Sequence, residues 1–181
     1  MSFNPRPLPE EIQRLCADLS APNLLLGHLR LVFDVSVNLV EGVRARFPNL
    51  DFEHEAVCFG AASHDLGKVK HPNELTGPGR QHEEDGPALL EEHGVDPRLA
   101  RFARTHGAFS KEKLSIEDLL VALSDAIWKG QRIDELEKQV IDKITEQTGI
   151  ESWEVFSELD ALLDEIASQG DERLAWQRAN G

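Results

Sequence analysis

The stretch His64-Asp65-Leu66-Gly67-Lys68 decides how this chain is read. Histidine and aspartate are costly to bury without partners. An adjacent pair beside a glycine sets both at one turn of backbone, and the preceding Val57, Cys58, Gly60, Ala61 and Ala62 predict a helix that its neighbours approach closely. Consecutive helical side chains project about 100° apart, so the pair reaches one ion, or straddles two, only near a helix end. Gly67 is read as that end, in left-handed conformation. Outward from here, His28, His82, His106 and Asp125 stand at intervals too long for a zinc finger but suited to ligands on separate helices. His28 shares a helical stripe with Leu24, Leu31, Val32 and Val35, His106 follows Leu99, Phe102 and Ala103, and Asp125 has Val121, Ala122 and Trp128 on its face. Each alone reads as a hydrogen-bonded core residue. Together, anchored by the His-Asp pair, they read as a metal site.

The apolar residues recur at three and four positions, without strict alternation and without a Val/Ile/Thr-rich run, which predicts an all-α protein. A short helix is expected after Pro9, with Glu10 and Glu11 in its first turn, ending near Ser20. A long one is expected from Asn23, read as its cap, to about Phe47, where Pro48 stops it, and a third from Glu53 to Asp65. Residues 71–81, with two prolines and two glycines, read as a loop over or beside the site. Helices over 83–93, with Gly94 as the stop, and over 97–106 follow. Ser115-Ile-Glu-Asp118 resembles a capping box and opens a helix to Lys129. Helices over 131–147 and 151–168, with Ile133, Leu136, Val140, Ile144 and Trp153, Phe156, Leu159, Leu163, Ile166 at helical spacing, read as a packing appendage.

A chain of 181 residues is expected to form one domain, residues 1–181, with a core that needs no disulfide. Cys16 and Cys58 form no CxxC arrangement, so a thiolate zinc site is not indicated. Cys58 and Trp128 read as core residues, and His54, His71 and His93 as non-ligands. The N-terminus Met1-Ser2-Phe3-Asn4-Pro5 lacks a basic region followed by an apolar one, and no run of 18 apolar residues appears, so a cytoplasmic protein without a membrane span is expected. A formal charge of −14 argues against a broad basic face for nucleic acid, yet Lys68, Lys70, Arg80, Lys129 and Arg132 can form a local positive rim for a small anion.

The order His28, His64-Asp65, Asp125, with His-Asp-Leu-Gly-Lys in its usual form, resembles the HD-domain metal-dependent phosphohydrolase superfamily over residues 24–130. His82-Glu-Glu-Asp-Gly86-Pro-Ala-Leu-Leu is similar to the segment of HD proteins that hold two metals, and Thr105-His106-Gly107 occupies the place of their next histidine ligand. The resemblance implies an HD-domain helical bundle with residues 131–168 appended. It also implies a dinuclear site, in which His28, His64, Asp65 and Asp125 hold one ion and Asp65 bridges to a second on His82 and His106.

Imidazole and carboxylate donors without thiolate suit iron or manganese first, then cobalt, nickel or zinc. Such a pair supports hydrolysis of a phosphoester or phosphoanhydride in a nucleotide or small phosphorylated metabolite, with no protein nucleophile. Lys68 is the foremost residue for substrate contact and charge stabilisation, followed by Arg80, Lys129 and Arg132. The spacing is similar to stand-alone HD hydrolases of diadenosine tetraphosphate. It also resembles cyclic di-GMP phosphodiesterases, whose GYP element this chain lacks. Two other functions are compatible with the residues: a mixed-valent di-iron oxygenase of the HD type, and a non-catalytic metal or nucleotide binder. The oligomeric state is not indicated.

Overall fold

The longest helix of the described residues packs against four others. The computed structural model describes residues 3–181, and among these there is helix and loop but no strand. Met1 and Ser2, part of the expected 1–181 unit and of the N-terminal stretch Met1–Pro5, lie outside the described residues. The helices are α1 (Glu10–Asp18), α2 (Asn23–Arg46), α3 (His54–Ser63), α4 (Gln81–Glu92), α5 (Pro97–Ala100), α6 (Phe102–Thr105), α7 (Ile116–Ile127), α8 (Asp134–Thr148), α9 (Ser152–Ala167) and α10 (Gly170–Asn180). Helix α2 packs on α3, α7, α9 and α10. Its distal part, with Leu31, Val35 and Leu39, joins α3, α7, α8 and α9 in one apolar cluster. Its first turns, with Leu25 and Leu29, join Ile12 and Leu15 of α1, Leu66 and Leu90 in another. His28 lies on α2 where these two clusters meet.

By length and composition alone α2 could cross a bilayer, with a mean hydropathy of 1.3 over its most apolar window. That window is 56 % buried inside the protein, as expected of a core helix apolar on most sides.

Several boundaries differ from those the sequence suggests. Pro22 takes the capping position of α2 and Asn23 is already helical, so the Asn23 side chain makes no cap. Helix α3 ends at Ser63; His64 closes its last turn, and the backbone then tightens into a 3-10 turn over Leu66–Val69. The loop after it contains a second such turn, Pro72–Leu75. The stretch expected as one helix over 97–106 is interrupted at Arg101 into α5 and α6. The capping box of α7 forms as read: Ser115 Oγ accepts from the Asp118 N–H, and Asp118 accepts from the Ser115 N–H. The same carboxylate accepts from Thr105 Oγ1 at 2.8 Å and Arg101 Nε at 3.1 Å, clamping α6 to the start of α7.

Helix α10 is absent from the sequence reading, which ends its last helix at 168. Its apolar content is low; Leu174 and Trp176 pack on the larger apolar cluster, and Arg173 adds a polar anchor. This side chain is 1 % exposed and donates to the carbonyls of Ile166 and Trp128 at 2.7 and 3.4 Å, where α9 and α7 end. Basic groups at helix C-termini are favoured by the helix dipole.

The largest correction concerns Gly67. It is not left-handed; that conformation belongs to Gly94, at the end of α4 as expected, and to Gly130 and Gly149. Glycine is required at 67 because α4 passes so close that a Cβ would lie 2.3 Å from the His82 carbonyl oxygen and 3.1 Å from the Gly86 Cα. This contact brings the His64-Asp65 turn against the helix carrying His82. Gly67→Ala is therefore expected to push α4 away, lowering stability by about 1–3 kcal/mol in denaturant titration, as overpacking does, and weakening metal retention in parallel.

Candidate metal centre

Five segments converge on one point. Helix α2 supplies His28 from its second turn, the end of α3 supplies His64 and Asp65, the first turn of α4 supplies His82, the end of α6 supplies His106, and α7 supplies Asp125. Gly60 lets α3 reach α6 and α7, since a Cβ there would overlap the Phe102 ring and Val121 at 2.7 and 2.8 Å. The separate helices of the sequence reading thus deliver their side chains to a shared site.

Asp65, 2 % exposed, lies at the middle. Its Oδ2 is 3.1 Å from His28 Nε2 and 3.7 Å from His64 Nε2, while its Oδ1 is 3.1 Å from His82 Nε2 and 3.6 Å from His106 Nε2. Asp125 Oδ1 lies 3.3 Å from His28 Nε2 and 3.4 Å from His64 Nε2. Ligand atoms within 4.8 Å of one another group as His28, His64 and Asp65; as His64, His106 and Asp125; and as Asp65, His82 and His106. These groups could each hold a metal ion. Asp65 Oδ1 is buried and receives no hydrogen bond, which is costly for a carboxylate oxygen unless a cation meets it. His28 and His64 also bring their Nε2 atoms within 3.4 Å of each other. Nitrogen lone pairs and carboxylate oxygens directed at one another in this way fit a metal.

The far ring nitrogens are fixed from behind. His64 Nδ1 lies 3.0 Å from the Ala61 carbonyl and His106 Nδ1 3.1 Å from the Phe102 carbonyl, each donating to it and leaving Nε2 as a lone pair toward the site. His82 Nδ1 is 2.5 Å from Glu74 Oε2. Glu74 is absent from the sequence reading, which treats 71–81 as loop. It is held there by the backbone N–H groups of Gln81 and His82 at 3.1 and 3.2 Å. A carboxylate behind a candidate histidine is a signal only once the loop is known to fold back on α4.

The electrostatics favour cations. Burial disfavours the ionised forms of Asp65 and Asp125, but the His64 and His28 imidazoles beside them outweigh it and hold both carboxyls well below the usual carboxylate range. Burial would favour the neutral ring of His28, yet Asp125 and Asp65 push it up to about 9. His106 moves the other way, to about 4, by burial and then by the neighbouring His64. Burial works against the Glu74 carboxylate, and its hydrogen bonds from His82 and the two backbone N–H groups prevail and bring it down to about 2. A cation taking His28 Nε2 would displace this proton, and its uptake would then strengthen as pH rises toward 9.

Comparison with known families matches residues 25–128 to the HD domain, more than half of the chain. The chain belongs to the HD-domain family. His28, His64, Asp65, His82, His106 and Asp125 all fall within the matched residues. Comparisons with curated proteins and with solved structures return no match. The HD domain is all-α, in agreement with the structure, and its family is one of metal-dependent phosphohydrolases.

The remaining residues singled out in the sequence fall into three places. Lys68, Arg80 and Lys129 line a cavity of about 260 Å³ together with Asp65, His82, His106 and Asp125. Lys68 Nζ is 2.6 Å from Asp65 Oδ2. Arg132 is elsewhere: its guanidinium pairs with Glu137 and Asp160, both at 2.7 Å, and with Asp164, tying α8 to α9. The expectation that it meets substrate is corrected, because those carboxylates already occupy it. His71 pairs with Asp85 at 2.7 Å, His93 lies 2.9 Å from the Leu89 carbonyl, and His54 packs on Phe52, all apart from the cluster. Trp128 is buried and meets the His28 ring edge-on at 5.3 Å.

Glu74→Gln is expected to keep the fold while weakening the His82 end of the site. Chelator competition should show metal released roughly tenfold to a hundredfold more readily, the usual effect of losing a carboxylate behind a histidine ligand.

Proposed function

We propose that this protein is a metal-dependent hydrolase of a phosphoester or phosphoanhydride bond in a nucleotide or other small phosphorylated compound. In this reading two transition-metal ions bind to His28, His64, Asp65, His82, His106 and Asp125. One observation carries it: the two oxygens of a single buried carboxylate, Asp65, face different sets of imidazoles. Nitrogen and oxygen donors without thiolate favour iron or manganese, with cobalt, nickel and zinc as further occupants. When bound, such ions supply charge neutralisation at phosphorus and lower the pKa of water.

The chain's own residues do the rest. Asp65, ionised and buried, sets the separation between the two histidine groups. Lys68 is salt-bridged to it at 2.6 Å but keeps a fifth of its side chain exposed, so its ammonium can turn to a phosphoryl oxygen and offset the charge that develops there. Lys129 and Arg80 on the cavity wall hold the substrate's anionic groups in place. No side-chain nucleophile is required, and burial, the main influence on the Cys58 thiol, pushes its pKa up and keeps it protonated.

The test combines labelling with two variants. Protein loaded with iron or manganese, given diadenosine tetraphosphate and a panel of nucleotides in oxygen-18 water, is expected to release product carrying one labelled oxygen. Asp65→Ala should lose both metal and turnover. Lys68→Ala should keep its metal and lose roughly a hundredfold to a thousandfold in rate, the usual cost of removing one stabilising donor. Product that forms only with oxygen gas present and carries no label from water would assign the site to oxygenation instead. An Asp65→Ala protein that stays metallated and active removes the basis of the proposal.

A further inference from the structure

The guanidinium of Arg173 is buried without an acid beside it. Asp34 and Glu172 act on it only at longer range, and Asp34 is already paired with Arg6 at 2.7 Å. One edge of the group is used, since Nη1 donates to the carbonyls of Ile166 and Trp128. The other edge, Nε with Nη2, is the fork that grips two oxygens of one carboxylate or phosphate. Nε is buried with no hydrogen-bond partner, and Nη2 meets only the side-chain oxygen of Gln169, at 3.3 Å. A buried cation in this state is costly unless an anion meets it.

A cavity of about 340 Å³ adjoins that edge, within the range of roughly 300–1,000 Å³ common for small-ligand pockets. Arg173, Leu162 and Ile166 line it and are buried, and Gln169, which meets Nη2, lines it as well. Helix α2 contributes Asn38, Gly42 and Arg46. Arg46 Nε is also buried without a hydrogen-bond partner, with the exposed Glu158 at 3.6 Å. Among the described residues four buried side-chain polar atoms lack partners; one is Asp65 Oδ1 at the candidate metal centre, and two belong to residues of this cavity. The remaining lining residues, Glu41 and Glu165, are exposed and so stand at its rim. None of the six candidate ligands lines it, and Leu162, Glu165, Ile166, Gln169 and Arg173 fall outside the family match.

We propose that this cavity, between α2, α9 and α10, binds a small organic anion with one carboxylate or phosphate head, gripped by the Nε–Nη2 edge of Arg173 with Arg46 as the second cation. Leu162 and Ile166 receive its compact body. The carboxylates of Glu41 and Glu165 at the rim repel a second negative group, which selects a single head over a polyanion. The bound anion neutralises the buried guanidinium and ties α10 to α2.

The test uses the full chain loaded with zinc, which leaves side-chain N–H resonances visible. Lactate and glycerol 3-phosphate carry the two heads, and glycerol carries none. Binding is read by calorimetry and by the Nε–H resonance of Arg173, identified by its loss in Arg173→Lys. Both anions are expected to bind and to shift that resonance while glycerol does neither, and the tighter of the two names the head. Arg46→Gln should weaken binding roughly tenfold, the cost of one charged hydrogen bond. Asn38→Trp, which fills the cavity from α2 and leaves Arg173 in place, should weaken it at least as much. Glu165→Gln removes a rim carboxylate and should strengthen binding by up to about fivefold, a gain that a merely structural role would not produce. All three variants should keep their zinc. Parental binding in both Arg46→Gln and Asn38→Trp places the anion elsewhere and overturns the proposal, as does glycerol binding as well as the anions. A titration to millimolar concentration in which neither anion gives heat or moves the Arg173 resonance overturns it outright.

Discussion

One buried carboxylate with imidazoles on both of its oxygens is the constraint to which the rest of the molecule answers. Asp65 cannot be ionised in an apolar interior unless positive charge or hydrogen-bond donors surround it. The fold meets that requirement by drawing α2, α4, α6 and α7 to the end of α3. Close helix approach at Gly60 and Gly67 allows it, and the Asp118 clamp keeps α6 in register with α7. The stable apolar clusters lie to either side, so the polar centre costs the fold little packing and is in turn shielded by it.

Much of this was legible from residue order. The capping box at Ser115, the stop at Gly94 and the all-helical pattern have local or periodic signatures, whereas the six dispersed histidines and aspartates were grouped through the resemblance to HD proteins, and the structure brings their side chains together in three overlapping groups. The features that escaped are those with no local signature. Gly67 looks like a helix terminator because glycine after a helix usually serves that role, whereas here its value is set by the His82 carbonyl, distant in sequence. Glu74 sits in a stretch whose prolines and glycines advertise a turn and conceal that the turn folds back onto His82. Arg132 sits near Lys129 in sequence, but three carboxylates of α8 and α9 decide its direction. Helix α10 has too few apolar residues to show a periodic stripe, and part of its attachment is made by an arginine.

The charge of the molecule has a similar two-level structure. Its formal −14 describes the surface as a whole, while Lys68, Arg80 and Lys129 gather on the walls of a single cavity. An acidic exterior discourages polyanions at long range, and within the cavity those three cations stand beside the carboxylates of Asp65, Glu83 and Asp125.

The buried guanidinium of Arg173 bears on what counts as a unit of this protein. It spans the carbonyl ends of α7 and α9, and α7 carries Asp125. The family match closes at residue 128, the residue whose carbonyl this arginine caps. The family match and the packing of the helices therefore have different borders here. The shared segment carries the candidate site, whereas the end of α7, the helix that carries Asp125, is tied by this arginine to a part of the chain outside the family match.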